Sequence, residues 1–265
     1  MTRTFVKSGT NPRGEAAGLA WLARAESSGG ARVARVIDVQ EDRLEIVYVD
    51  EAAASAARAR MFGRALAHTH AAGAPWWGCP PEGWQGPAWV GNSRTPLVLE
   101  SEQAPVSWGE FYAAYRIEEF ARRLRESGVI EEGSSGIFAR LAERLRDGDF
   151  DSPQPALVGE AGHAVARVHG DMWAGNVLYD GSATGATLID PMAHGGHAET
   201  DLATLSVFGF PYLDQVYAGY DEESPLADGW RERIELHQLG IVIMHADLFG
   251  GSYVASSVDL ARRYL

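Results

Sequence analysis

Apolar residues recur every three or four positions through most of this chain and alternate in only a few short stretches. The pattern predicts a mainly helical molecule with two small strand-bearing regions. Thr4 to Lys7 reads as the end of a strand. Asn11-Pro12 opens a helix expected to run to about Glu26, because proline suits a first turn and Ala16, Leu19, Ala20 and Ala23 fall at helical spacing. Two β-type runs follow, Arg32 to Val39 and Leu44 to Val49, joined by the polar turn Gln40 to Arg43. Helices are expected over Ala52 to Ala72, Ser107 to Ser127 and Ser134 to Arg146, and nearly everything beyond Asp201 carries helical spacing. This divides the chain into a small strand-rich unit, residues 1–50, and a larger helical one, residues 51–265.

Two stretches break the helical pattern. Gly73 to Pro105 is rich in proline and glycine and carries Trp76, Trp77, Trp84 and Trp89. A structureless connection of that length is uncommon in a compact domain, and large aromatics argue against disorder. The tryptophans are expected to pack the loop onto the helical unit or to meet a ligand. The second stretch is a hairpin: Val177 to Tyr179 and Ala186 to Ile189 flank the turn Asp180 to Gly185. A hairpin brings the start of its first strand beside the end of its second, so Asn176 and Asp190 meet at one edge. Asp171, in a tight glycine-containing loop, lies at that same edge.

Composition narrows the partners. Thirty-six acidic residues face 23 basic ones, a net charge of −13, which disfavours nucleic acid and anionic membranes. A single cysteine, Cys79, excludes an internal disulfide and a multi-cysteine zinc site. The first residues show no apolar leader and the longest apolar run, Leu239 to Met244, is too short to span a bilayer, so a soluble cytoplasmic protein is expected. Of the basic residues, 22 are arginine and only Lys7 is lysine. A general drift toward arginine does not explain the one exception; a compact ammonium can reach between phosphates where a planar guanidinium cannot. Val6 precedes that lysine, so no Walker A loop is present.

An Asp, an Asn five residues on and a second Asp closing a hairpin are what phosphoryl transfer needs. One carboxylate accepts the proton of the attacking hydroxyl, while an amide oxygen and another carboxylate hold Mg²⁺ against nucleotide phosphates. His169-Gly170-Asp171 followed by Asn176 matches the spacing of the kinase catalytic loop. Lys7 would contact the α/β-phosphates, with Glu15 on the following helix orienting it through an ion pair.

HGDMWAGN, residues 169–176, resembles the HGDLWSGN motif of fructosamine kinases (ketosamine 3-kinases), relatives of the aminoglycoside phosphotransferases. The resemblance continues through IDPMAHGGHAETDLATLSVFG, PLADGWRERIELHQL, LFGGSYVASSVDLARRYL and, earlier, WGEFYAAYRIEEFARRL, covering nearly the whole chain from Phe5. It implies an α+β, protein-kinase-like two-lobed fold with a truncated N-terminal β lobe and a mainly helical C-terminal lobe. It implies Asp171 as general base, Asn176 and Asp190 as magnesium ligands, and Lys7 with Glu15 as the phosphate-positioning pair. Val47, Tyr48 and Val49 would form the adenine-binding hinge, Trp173 would flank the substrate sugar, and His245 would help bind it. His169 and Asp201 would support the catalytic loop. The implied reaction moves the γ-phosphoryl of ATP, with Mg²⁺, to the 3-hydroxyl of a small or protein-bound ketosamine, whose unstable 3-phosphate then frees the amine.

Three departures stand out. Ala174 replaces the family serine, Ala198 replaces an arginine, and only six residues precede Lys7 where the family carries two strands and a nucleotide-covering loop. The last predicts weak ATP affinity. It motivates one alternative, a non-catalytic kinase-fold protein that binds a sugar or partner; another is a kinase of a different amine-bearing sugar, such as an aminoglycoside. His194-x-x-His197 and His68-x-His70 have metal-like spacing, and a zinc hydrolase using His194, His197 and Asp190 is the reading that uses the histidines instead.

Overall fold

The computed structural model describes residues 3–265. In chain order its first elements are β1 (Thr4–Ser8), α1 (Pro12–Ala23), β2 (Arg32–Val33), β3 (Val36–Val39), β4 (Arg43–Val47) and α2 (Ala56–Ala71). A hairpin follows, β5 (Ala88–Val90) and β6 (Ser93–Thr95). One long helix then runs as α3 (Trp108–Tyr112), a π-helical stretch at Ala113–Glu118 and α4 (Glu119–Glu126). Next come α5 (Glu132–Arg146), α6 (Ala156–Glu160), β7 (Ala166–Val168), β8 (Val177–Tyr179), β9 (Ala186–Leu188) and β10 (His194–Gly196). The chain closes with α7 (Ala198–Val207), α8 (Leu213–Glu223), α9 (Trp230–Phe249) and α10 (Ser252–Arg262).

The antiparallel sheet β1-β4-β3 pairs Lys7 with Leu44. Leu44 and Ile46 are buried against the apolar face of α1, in the same core as Leu19 and Leu22. α1 starts where the sequence predicts, with Pro12 in its first turn and Asn11 Oδ1 accepting from Gly14 N–H at 3.2 Å. It ends earlier than Glu26, tightening into a 3₁₀ turn over Arg24–Ser28 that stops at the left-handed Gly29.

The predicted strand Arg32 to Val39 is two strands in two sheets. β2 runs parallel to β9 and β3 antiparallel to β4. The crossover lies at Ala34-Arg35: Ala34 N–H donates to Leu188 O at 2.9 Å, and Arg35 O accepts from Val47 N–H at 2.8 Å. The segment 3–50 is thereby hydrogen-bonded to the β8–β9 hairpin. A shared core reinforces the link, since Val33 and Ile46 belong to the same buried cluster as Phe62, Leu66, Val177 and Leu188.

α2 begins at Ala56, four residues later than expected, with Ser55 as its N-cap. Ala52 N–H instead donates to Tyr179 O at 2.7 Å, so the preceding segment stays extended along β8. α2 and α8 touch backbone to backbone: a Cβ at Gly63 would lie 2.1 Å from Val216 O, and one at Gly219 2.1 Å from Arg60 O. A second core surrounds the α3–α4 helix, α5 and α9. The tryptophan-rich connection is ordered. Trp76 Nε1–H donates to Val98 O at 2.9 Å, Trp77 stacks over His197, and β5–β6 forms where no strand is expected from the pattern. Among the described residues, no helix is long and apolar enough to cross a membrane.

Candidate active site

The loop between β7 and β8 carries the site. β7 pairs with β10, which sets the entry to the loop, and the hairpin register Val177↔Leu188 places Asn176 beside Ile189 and Asp190. Beneath the loop, in the first turn of α7, the fully buried Asp201 accepts from His169 N–H at 2.7 Å and Gly170 N–H at 2.9 Å. Its other partner is His70 Nε2 at 3.1 Å, and His70 Nδ1 in turn meets Tyr220 Oη at 2.8 Å. Burial alone would raise the Asp201 carboxyl, but His70, His169 and the Gly170 N–H hold it below the usual range. His169 donates from Nε2 to Ile189 O at 2.9 Å and accepts Asp171 N–H on Nδ1 at 3.3 Å, which assigns its tautomer. Burial keeps its ring neutral by lowering its pKa. Gly170 has φ +83°, and a Cβ there would meet Met192 O at 2.3 Å, so no other residue fits.

Asp171 Oδ2 accepts from Asn176 Nδ2 at 2.9 Å, and the same amide nitrogen reaches Asp171 O at 2.8 Å. Burial pushes the Asp171 carboxyl up to about 7, with the Asn176 bond opposing. Committing Nδ2 in this way leaves Oδ1 as the acceptor that the Asn176 amide can offer a cation. Asp190, at φ 52°, accepts Lys7 Nζ on Oδ1 at 2.7 Å, and Lys7 also pairs with Glu15 Oε2 at 2.9 Å. Burial opposes the charge on Lys7, but Glu15 and Asp190 outweigh it and raise its pKa. Glu15 is pushed up to about 7 by burial and by the charge of Asp190, against Lys7. Its Oε1 is buried without a partner. The Asn176 amide oxygen and the Asp190 oxygen not taken by Lys7 are hard-oxygen donors in the same cleft, a pair that suits Mg²⁺ with several waters.

Seven of the residues selected from the sequence line one cleft of about 670 Å³: Lys7, Glu15, Asp171, Trp173, Asn176, Asp190 and His245. His169 and Asp201 lie under its floor. Val47, Tyr48 and Val49 do not line it. They border a separate opening of about 590 Å³ beside Ala20 and Val36, and the N–H groups of Val47 and Tyr48 donate to Arg35 O and Arg3 O. Sequence reasoning missed Phe249 and Leu248 on the cleft wall, and it left Trp84 and Trp89, which also line it, between a packing and a ligand role.

The histidine reading does not assemble. His194 donates from Nδ1 to Met192 O and accepts from Arg116, while His197 lies with Glu199 and His237. Both oxygens of Glu199 already hold Arg233, at 2.8 and 2.6 Å. That makes the cluster a buried ion pair rather than a cation cage. His68 and His70 pair with different carboxylates, Glu223 and Asp201.

The family model described as fructosamine kinase matches residues 6–265. The chain belongs to the fructosamine kinase family. A crystal structure of a fructosamine-3-kinase candidate from Thermobifida fusca is 36% identical, with a TM-score of 0.84, covering 99% of this chain and 85% of that one. The ketosamine-3-kinase of Mus musculus is 32% identical over 59% of this chain and 46% of its own length. A "Probable ketoamine kinase" of Synechocystis sp. is 31% identical over 77% of this chain and 61% of its own. The chain thus spans about half to three-fifths of the curated relatives it matches. An ADP-bound aminoglycoside phosphotransferase, 12% identical with a TM-score of 0.59, shares the fold alone. The architecture of this family member is the α+β, two-lobed, protein-kinase-like fold.

Proposed function

We propose that this chain transfers the γ-phosphoryl group of Mg-ATP to the 3-hydroxyl of a ketosamine, after which the unstable 3-phosphate releases the free amine. The observation that carries the reading is the gathering of Asp171, Asn176, Asp190 and the Lys7–Glu15 pair in one cleft, from elements far apart in sequence.

Asp171 accepts the hydroxyl proton as the hydroxyl oxygen attacks the γ-phosphorus and the bond to the β-phosphate oxygen breaks, leaving ADP. Asn176 keeps the Asp171 carboxylate aimed by donating to Oδ2. Asn176 and Asp190 would hold Mg²⁺, which neutralises charge on the phosphates when bound. Lys7, steadied by Glu15, supplies the point charge for the remaining phosphate oxygens. Asp201 and His169 fix the loop backbone, so that Asp171 needs no reorganisation at the moment of transfer.

The test is ADP release from Mg-ATP with ribulose- and fructose-amines, alongside an aminoglycoside and the Asp171→Asn variant. The reading expects turnover on a ketosamine and a loss of about 10²- to 10⁴-fold in Asp171→Asn. Turnover on the aminoglycoside alone would reassign the acceptor. Binding of a ketosamine with no ADP release in the presence of Mg-ATP would make the chain a sugar-binding protein.

A further inference from the structure

Outward from the reacting groups, the cleft wall carries the rings of Trp173, His245 and Phe249, with Phe208 and Tyr253 packed against them outside the lining. Trp173, two residues beyond Asp171, meets Phe208 edge-on at 6.2 Å between ring centroids. Phe208 lies 5.3 Å from His245, and His245 lies 5.5 Å from Phe249 and 5.2 Å from Tyr253. These rings are not sealed in the core: Trp173 is 40% exposed, Phe208 44% and Phe249 67%. An exposed contiguous aromatic patch joined to a reaction site marks a binding surface.

The charge of the same wall is one-sided. None of the 22 arginines lines the cleft, and among the described residues its only ammonium is Lys7, already held between Glu15 and Asp190. The one histidine, His245, donates from Nδ1 to Ile241 O at 2.8 Å, and burial lowers its pKa, so its ring is neutral. The remaining titratable groups are the carboxyls of Glu15, Asp171 and Asp190.

We propose that the aromatic run from Trp173 to Phe249 receives the amine-side substituent of the acceptor and selects substituents without a carboxylate, arylalkyl amines above all. This rests on the acceptor being a ketosamine. In such a molecule the amine nitrogen sits on C1, two carbons from the 3-hydroxyl, and is a secondary ammonium at neutral pH. With the hydroxyl at Asp171, the nitrogen reaches the neighbourhood of Trp173. Ring faces attract the ammonium, and an aryl group beyond it finds Phe249, the aromatic side chain at the outer end of the cleft lining. A carboxylate on the same substituent would instead lose water among three carboxyls, with no guanidinium to receive it.

The test compares ketosamines made from 2-phenylethylamine and from phenylalanine, which differ only by the carboxylate, by ADP release from Mg-ATP. A methylamine ketosamine serves as the small reference acceptor. The expected result is a kcat/KM at least about tenfold higher for the phenylethylamine compound, ~1.4 kcal/mol. Phe249→Arg places a guanidinium at an exposed position of the wall and should narrow or invert that ratio. Equal kcat/KM for the two compounds overturns the inference, as does a ratio that Phe249→Arg leaves unmoved. If the methylamine compound turns over without such discrimination, only the inference falls. If none of the three turns over, the ketosamine reading falls with it.

Discussion

Asp201→Asn probes how much of the catalytic loop depends on a residue that never enters the cleft. The Asp201 carboxylate is fully buried and accepts on both oxygens: Oδ2 from His169 N–H at 2.7 Å and His70 Nε2 at 3.1 Å, Oδ1 from Gly170 N–H at 2.9 Å. An asparagine of the same shape must turn an NH₂ toward one of these donors. With the amide oxygen kept on His169 and His70, Gly170 N–H faces another donor. Losing one hydrogen bond to a charged group costs about 1.5–3 kcal/mol, and the unpaired buried N–H adds about 1–3 kcal/mol. The expected destabilisation is therefore roughly 2.5–6 kcal/mol. At about 2–4 °C per kcal/mol, the thermal midpoint should fall by roughly 5–24 °C. The loss should also depend on pH. The folded-state carboxyl titrates below its unfolded value, so its contribution is complete above about pH 4 and fades as pH falls through the lowered value. Wild type and variant should thus converge in acid. Urea unfolding at pH 7 and pH 3, with ADP release measured in parallel, reads both effects. A variant within about 1 kcal/mol of wild type at pH 7, with unchanged turnover, would refute the bracing role assigned to Asp201.

Other expectations follow from single observations. Gly63→Ala drives a methyl into Val216 O, 2.1 Å away, so α2 and α8 must separate; chemical denaturation should show a loss of about 3 kcal/mol or more. Lys7→Arg keeps the charge but not the compact reach to Glu15 and Asp190; the fold should hold within about 1 kcal/mol while ADP release falls at least about tenfold. Against burial, which alone would raise it, His237 and Arg233 hold Glu199 down to about 2. Glu199 therefore contributes on the order of 3 kcal/mol above about pH 4.5, lost as pH falls toward 2, and Glu199→Gln should remove that part of the acid limb in a pH series of unfolding midpoints.

Parts whose partners lie close by along the chain are legible in the amino-acid pattern. Helical spacing located α1, α5 and the C-terminal helices, and the turn at Asp180 to Gly185 located the β8–β9 hairpin. The hairpin then brought Asn176 to Asp190, because strands joined by a short turn have little choice of register. The one lysine among 22 arginines flagged Lys7, and helical spacing after Asn11 put Glu15 within its reach. Motif spacing singles out Asp171 and its neighbours.

The remaining features depend on partners distant along the chain. Arg32 to Val39 alternates as one strand should, but period-two alternation is the same whichever sheet receives it. The choice of β9 for Val33 and β4 for Val36 was made by packing around Leu188 and Ile46. The aromatic run is likewise invisible in sequence, because Trp173, Phe208 and Phe249 come from three elements and meet only when α7 and α9 pack beside the catalytic loop. The segment Val47 to Val49 sits beside Ala20 and Val36 rather than in the main cleft because β4 ends at Val47 and Tyr48 N–H closes onto Arg3. Local pattern fixes which atoms a residue offers; the free energy of burying distant apolar surface together decides which other residues those atoms face.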